Sequence, residues 1–219
     1  EKMNAKYLLS PDRKLTDEEK NLIWKKPLSH KVSEEEIRIC KEVKRNWNRG
    51  EMKIANILLE GDAGSGKTQL AKALSADFGL PYTKVTCFAD MDKSDIIGGI
   101  LPVISSDDLE KIDDEDRIAL KALYDHEGFL SAAEVLVDAL GLTQEQAASK
   151  IKHLLNLAGE YSKEDIVEYR FYPSEIVRAY RNGYLLEIQE PTVIRDAAVL
   201  MALNSALELD GSINLPTQI

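Results

Sequence analysis

Apolar residues recur along the chain at two spacings, and each spacing predicts a different kind of element. Near-continuous apolar runs at 54–60 and 184–188, and an alternating run at 82–88, predict β-strands. Apolar positions three and four residues apart predict helices over 69–78, 116–124, 131–140, 143–157 and 197–208. The strand–helix–strand order between residues 54 and 88 is a βαβ unit, which predicts a parallel sheet with a right-handed crossover.

The N-terminal part of the chain is more polar. Residues 1–32 contain Pro11 and Pro27, and we predict a mostly solvated arm with one short helix after Thr16. A second helix begins at the capping-box sequence after Ser33 and ends at 48–50. Its predicted buried face consists of Ile37, Cys40, Val43 and Trp47. At the other end of the chain, 210–216 has the composition of a hairpin turn.

A glycine-rich segment lies between the first predicted strand and the helix at 69–78. Residues 61–68 read Gly-Asp-Ala-Gly-Ser-Gly-Lys-Thr and match G-x-x-x-x-G-K-[ST] at every specified position. The glycines let successive backbone N–H groups turn inward around a polyphosphate, and the following helix points its positive end at the same anion. A strand before the motif and a helix after it make an accidental glycine-rich turn the weaker interpretation.

The predicted nucleotide-binding residues are the motif and the next helical residue: Gly61, Asp62, Ala63, Gly64, Ser65, Gly66, Lys67, Thr68 and Gln69. Lys67 places a compact positive charge near the β- and γ-phosphates, so we predict that it acts in catalysis as well as in binding. The Thr68 hydroxyl is a predicted ligand of Mg²⁺. The segment therefore predicts a site for ATP and Mg²⁺.

Such a loop needs an acidic residue on a neighbouring strand, which holds Mg²⁺ through water and orients the attacking water. The apolar run at 184–188 is followed by Gln189 and Glu190, where most ATPases of this kind have Asp-Glu. Glu190 is the predicted catalytic residue that polarises water. Gln189 is predicted to support the metal through water, without adding charge. Glu187 should face the same side of the strand as Gln189, and we expect it to lie a full residue pair away from the metal.

Further motifs follow the phosphate loop in an ordered set. They are Asp-Ile-Ile-Gly-Gly at 95–99, the segment 171–183 leading into 185–190, and the helix end at 203–208. With these motifs the chain resembles the MoxR and dynein-related (midasin-like) branch of the AAA+ ATPases over roughly 33–106 and 166–219. The resemblance implies ATP hydrolysis coupled to remodelling or maturation of a partner protein. It also implies a ring, commonly a hexamer, and often a von Willebrand factor A domain protein as partner.

The expected fold class is α/β, with the parallel sheet of a P-loop NTPase flanked by helices and an acidic all-helical insertion. We predict an N-terminal arm at 1–32, the first part of the ATPase core at 33–106, the insertion at 107–165 and the second part of the core at 166–219. In the family, the sensor residue, arginine finger and C-terminal helical lid would follow Ile219, so we expect a core without its lid.

Charge and cysteine content narrow the possible environments. The 219 residues include 28 Lys+Arg and 38 Asp+Glu, a net charge of −10, and 107–165 alone carries a net −9. This excess argues against nonspecific binding to nucleic acid, which needs clustered Lys and Arg. Two cysteines without ligand spacing argue against a disulfide scaffold or a zinc site. Without a long apolar run or the apolar core of a secretory signal, we expect a cytoplasmic protein without membrane contact.

Two other functions stay open. One is a nucleotide-gated assembly module, in which ATP fixes a ring interface with little hydrolysis because Gln189 brings no charge to the metal site. The other is a nucleic-acid-associated ATPase, because 131–159 resembles a helix-turn-helix whose second helix offers Lys150, Lys152 and His153. The acidic surroundings of that segment disfavour the second alternative.

Overall fold

The computed structural model describes residues 5–47, 56–126, 131–161 and 168–207. These residues group into two compact units, which are described separately. The first unit contains the described residues up to Phe88 together with 182–193 and Leu207, and the second contains those of 89–181 and 194–206. The predicted helix end at 48–50 and the predicted turn at 210–216 lie outside the described residues.

Ten α-helices and four β-strands occur in the described part of the chain. The helices are α1 (Asp17–Leu22), α2 (Glu34–Trp47), α3 (Lys67–Phe78), α4 (Lys93–Ile97), α5 (Ser106–Leu109), α6 (Asp114–Asp125), α7 (Ala132–Leu140), α8 (Gln144–Tyr161), α9 (Glu175–Asn182) and α10 (Ala197–Leu207). The strands are β1 (Tyr82–Thr86), β2 (Gly98–Pro102), β3 (Tyr169–Pro173) and β4 (Leu185–Gln189). Short 3₁₀ turns occupy Ala5–Tyr7 and Pro191–Val193. Among the described helices, none combines the length and the apolar character that crossing a membrane requires.

A two-stranded parallel sheet lies in the first unit. β1 pairs with β4 in a register that places Tyr82 opposite Leu185 and Thr86 opposite Gln189. The parallel sheet was predicted, but with the run at 54–60 as one of its strands. Residues 56–60 form no strand, and Leu58 is 82% exposed, so that prediction is wrong for these residues. An apolar run forms a buried strand only where both of its faces are covered. Here Leu59 packs against the core, but its neighbour Leu58 is exposed, so only one face of the run is covered.

The core of the first unit lies between α2, α3 and the N-terminal arm. Its buried residues are Tyr7, Leu9, Ile39, Cys40, Val43, Leu74 and Phe78. Most of the arm is exposed, as predicted, but Tyr7 and Leu9 are buried, and the Leu9 N–H donates to the Phe78 carbonyl at 3.2 Å. The buried face of α2 also differs from the prediction, because Ile37 is exposed and Glu36 and Ile39 are buried instead.

The second unit combines the helices α6, α7 and α8 with an antiparallel ribbon of β2 and β3. The ribbon pairs Gly98 with Pro173 and Pro102 with Tyr169. The three helices agree with the predicted ones, whereas the sequence pattern predicted neither β2 nor β3. The hydrophobic core of this unit includes Leu101 and Ile104 beside residues of all three helices. The acidic helices therefore share their core with the ribbon, and the domain boundaries at 106 and 165 stay predictions.

The motif at 95–99 has a structural reason of its own. Asp92 and Asp95 form a capping box at the start of α4, and Ile96 is fully buried. Gly98 has φ 108°, and a Cβ there would lie 1.8 Å from the carbonyl oxygen of Tyr172. Only glycine lets the two strands of the ribbon approach this closely.

Candidate nucleotide-binding site

The phosphate loop leads directly into α3, which begins at Lys67. Gly64 and Gly66 have φ 80° and 89°, in the left-handed region that strains residues with a side chain. A Cβ at either position would meet open space, so the backbone conformation and not crowding requires glycine. The loop is exposed, and the free N–H groups and positive dipole end of the 12-residue helix point toward it. The loop and the helix together thus have the backbone arrangement that binding an anion requires.

Lys67 folds back over this loop. Its ammonium group donates to the carbonyl oxygens of Gly61 and Asp62, the second at 3.0 Å. The Ser65 N–H also donates to the Asp62 carbonyl, at 3.1 Å, which closes the turn. The predicted lysine and the predicted backbone donors thus lie together, as phosphate recognition requires.

Polar side chains from α3 and β4 meet at Thr68. Gln189 Nε2 donates to Thr68 Oγ1 and to Glu187 Oε1, both at 2.9 Å, and Thr68 Oγ1 donates to Glu187 Oε1 at 3.2 Å. Glu187 and Gln189 lie on the same side of β4, as alternation predicted. The position of Glu187 differs from the prediction, because it was expected to lie a full residue pair away from the metal site. Its carboxylate is in hydrogen-bond contact with the predicted Mg²⁺ ligand.

β1 supplies two further groups to this cluster. The Tyr82 hydroxyl donates to Glu187 Oε2, and the Thr86 hydroxyl donates to Gln189 Oε1 at 3.2 Å. Burial raises the pKa of Tyr82, and the neighbouring Glu187 carboxylate raises that pKa further, so Tyr82 stays a proton donor at neutral pH. Both oxygens of Glu187 and both polar atoms of the Gln189 amide therefore have protein partners.

Glu190 follows directly after β4. Its φ is 55°, and among the described residues it is the one non-glycine with a positive φ in the left-handed region. The residue is exposed, and its carbonyl oxygen accepts from the Val193 N–H at 3.2 Å. Within the described part of the chain, no hydrogen bond or ion pair joins its carboxylate to the loop or to Thr68, unlike the side chains of Glu187 and Gln189.

The donor set near Thr68 fits Mg²⁺. Within the described residues, no group of three or more His, Cys, Asp or Glu side chains could hold a metal ion alone. A hydroxyl and a carboxylate, however, are the hard oxygen donors that Mg²⁺ prefers, and it commonly combines one or two carboxylates with substrate phosphates and water. Beside the phosphate loop, Thr68 supplies the hydroxyl, and the Glu187 carboxylate is hydrogen-bonded to it.

Residues 56–124 match a family model described as an AAA domain of the dynein-related subfamily. The match supports an AAA+ nucleotide-binding module. It begins shortly before the phosphate loop, runs through α3 and β1, and ends in α6. An AAA domain implies the P-loop fold, in agreement with the small parallel sheet beside α3.

Curated relatives match over a shorter stretch. An uncharacterized protein of Staphylococcus haemolyticus is 49% identical over 43 residues, which is 20% of this chain and 16% of the relative. The uncharacterized protein YojN of Bacillus subtilis is 46% identical over 43 residues, 20% of this chain and 14% of the relative. The aligned part of the chain thus spans less than a fifth of the length of these relatives. No solved structure matches the chain.

Proposed function

We propose that the chain binds Mg-ATP at the phosphate loop and hydrolyses it, as part of the core of an AAA+ ATPase of the MoxR and dynein-related branch. The observation that carries this proposal is the contact between Thr68, at the start of α3, and the side chains of β4. That contact joins the phosphate loop and α3 to β4, the strand that Glu190 directly follows. The dynein-related AAA match supports the same proposal.

In the proposed reaction, the backbone N–H groups of 61–69 and the Lys67 ammonium bind and orient the triphosphate. Thr68 would hold Mg²⁺, with Gln189 in its outer shell through water, and the bound ion would supply positive charge beside the phosphates. Glu190 takes a proton from a water whose oxygen attacks the γ-phosphorus in line. The bond from the γ-phosphorus to the bridging oxygen then breaks, which releases phosphate and ADP.

Turnover is proposed to serve the remodelling or maturation of a partner protein. By resemblance, the chain would work in a homo-oligomeric ring, commonly a hexamer, and a von Willebrand factor A domain protein is the proposed partner. Cys40 and Cys87 are buried free thiols, which suits the reducing environment of the cytoplasm.

A second candidate is a nucleotide-gated assembly module with little hydrolysis. The observation that favours it is the neutral Gln189, which bonds to Thr68 where a carboxylate would add charge to the metal site. In this case ATP binding alone would fix an interface between copies of the chain.

The binding part of the proposal is tested with Lys67→Ala. We expect at least about a tenfold loss of affinity for ATP, because a charge-assisted hydrogen bond contributes about 1.5–3 kcal/mol. A titration with a fluorescent ATP analogue measures this. Lys72→Ala is the matched control, since Lys72 lies on the same helix away from the loop. An unchanged affinity in Lys67→Ala would remove the phosphate-loop assignment.

The catalytic part is tested by phosphate release at saturating ATP. Glu190→Gln should lower the rate at least about 100-fold with ATP affinity retained, because a general base contributes about that much or more. Equal rates of phosphate release in the wild type and in Glu190→Gln would exclude Glu190 as the base and favour the assembly module. Mass measurements with and without ATP then show whether nucleotide drives ring formation.

A further inference from the structure

The proposed Mg²⁺ site has no acid at position 189. We propose that Glu187 supplies the missing negative charge, as a positioning residue that accepts the Thr68 proton and directs that hydroxyl toward the cation. This inference rests on the proposed function, since it concerns the same site.

The hydrogen bonds that described residues make to the Thr68 hydroxyl leave one of its lone pairs for a cation. A hydroxyl has one proton to donate and two lone pairs that accept. Thr68 donates its proton to Glu187 Oε1 at 3.2 Å, and one lone pair accepts from Gln189 Nε2 at 2.9 Å. The remaining lone pair is available to Mg²⁺, and the Glu187 carboxylate is hydrogen-bonded to the same hydroxyl. An acid that orients a metal ligand in this way also raises the ligand's affinity for the metal.

Gln189 cannot take the role of the acid in this arrangement. Its amide oxygen accepts from the Thr86 hydroxyl at 3.2 Å, so its nitrogen faces Thr68 and Glu187. An amide nitrogen with two protons does not ligate a cation. The same nitrogen holds Glu187 Oε1, while Tyr82 holds Oε2, so the carboxylate is fixed from both sides.

The test measures metal affinity instead of turnover. Mn²⁺ is added to the protein saturated with the non-hydrolysable analogue AMP-PNP, and electron paramagnetic resonance reports free and bound Mn²⁺. Glu187→Gln keeps the shape and the hydrogen-bond acceptor but removes the charge. We expect it to weaken Mn²⁺ binding about 10- to 100-fold. Affinity for AMP-PNP in EDTA, where no metal is present, should stay as in the wild type.

Two further variants separate charge from structure. Tyr82→Phe removes the other partner of Glu187 and should leave Mn²⁺ affinity within about threefold of the wild type, since the charge remains. Gln189→Asp puts a carboxylate at the usual position, and the double variant with Glu187→Gln should recover most of the lost Mn²⁺ affinity. If Glu187 only anchored Tyr82, then Tyr82→Phe would lose as much affinity as Glu187→Gln, and Gln189→Asp would rescue nothing.

Failure of this inference differs from failure of the proposed function. If the wild type binds Mn²⁺ and AMP-PNP while Glu187→Gln binds Mn²⁺ equally well, Glu187 is not the acid and the proposed function stands. If the wild type does not bind AMP-PNP, or Lys67→Ala binds it as well, the proposed function fails and this inference fails with it. Should Glu187→Gln not fold, Gln189→Asp alone decides. If Gln189→Asp binds Mn²⁺ less than threefold more tightly than the wild type, the proposed role of Glu187 is supported. If it binds Mn²⁺ tenfold or more tightly, that role is overturned.

Discussion

At the scale of single residues, Glu190 combines a proposed catalytic role with a costly backbone conformation. A glutamate with φ 55° lies in the left-handed region, which costs roughly 1–2 kcal/mol for a residue with a side chain. Such conformations persist where the surrounding structure enforces them, and they concentrate at functional sites. Here β4 ends at Gln189 and a 3₁₀ turn begins at Pro191, so Glu190 is the single residue that joins the two elements.

Two amide variants of Glu190 separate conformation from chemistry. Glu190→Asn and Glu190→Gln both remove the carboxylate, but asparagine tolerates the left-handed region better. We expect Glu190→Asn to be more stable than Glu190→Gln by about 0.5–1 kcal/mol, because only the first relieves backbone strain. Urea unfolding of the two variants measures this difference, and both should lose phosphate release. Equal stabilities would show that the backbone at this position carries no strain.

At the scale of elements, a buried ion cluster joins α2 to α3. Lys26 Nζ lies 2.5 Å from Glu36 Oε1 and 2.6 Å from Asp77 Oδ1, and both carboxyl groups are almost fully buried. Burial and the contact with Glu36 raise the pKa of Asp77. Burial alone would raise the pKa of Glu36 too, but hydrogen bonds from Asp77, Lys26 and His30 hold it below the usual value. The two carboxyl groups depend on Lys26 for their charge balance.

The pKa directions set the pH dependence of this cluster. Because the pKa of Asp77 is raised in the folded protein, this group adds to the free energy of unfolding at low pH. The contribution is complete below pH 3.8 and is lost as pH rises through the pKa of Asp77 in the folded state. The lowered pKa of Glu36 gives the opposite, a contribution present above pH 4.5 and lost as pH falls through its folded-state value. Lys26 stabilises the folded state at all pH values below 10.5, because its pKa is raised in the folded protein.

Lys26→Met is therefore expected to destabilise the protein by about 3 kcal/mol at pH 7, since it leaves two buried carboxyl groups without a counter-charge. Without Lys26 the pKa of Asp77 rises further, so the loss should be smaller near pH 4.5 than at pH 7. Urea unfolding at both pH values measures it. Lys20→Met is the matched control, because the Lys20–Asp17 pair is exposed and should contribute less than about 1 kcal/mol. A loss that is equal at both pH values would contradict the coupling between Lys26 and Asp77.

At the scale of the whole molecule, the distribution of charge decides between partners. The helix-turn-helix resemblance depends on the basic residues of α8, and these are already paired within the second unit. Lys150 contacts Glu115 and Asp116 at 3.0 and 2.5 Å, and His153 contacts Asp116 at 2.8 Å. Lys152 lies 3.6 Å from Asp95. With these basic side chains paired to acidic ones and a net charge of −10, the chain has little to offer a phosphate backbone.

We therefore expect no shifted band for duplex DNA at low salt and micromolar protein. Nonspecific binding through phosphates strengthens steeply as salt falls, so the lowest salt concentration is the most demanding condition. A gel-shift series across salt concentrations measures this, with a basic DNA-binding protein as the positive control. A shift that weakens as salt rises would revive the nucleic-acid-associated ATPase.

Local signals in the sequence predicted several parts of the molecule correctly. Glycine spacing located the loop before α3, and the apolar periods located α6, α7 and α8, because such patterns depend on neighbours within a few residues. The ribbon of β2 and β3 was missed, since five residues on each side carry too little pattern to indicate a partner some seventy positions away. The predicted strand at 56–60 failed for a related reason, because an apolar run does not show whether a neighbour covers it.

The candidate site also has parts that the sequence predicted and parts that only the fold decided. The identity of Lys67 and Thr68, and of the backbone donors around them, could be read directly from the chain, because a phosphate loop is built from consecutive residues. Alternation also placed Glu187 and Gln189 on one side of their strand. Which of the two would supply charge to Thr68 depended on the parallel register of β1 against β4 and on the approach of α3. Those contacts join residues more than a hundred positions apart, and only the folded chain brings them within hydrogen-bond distance.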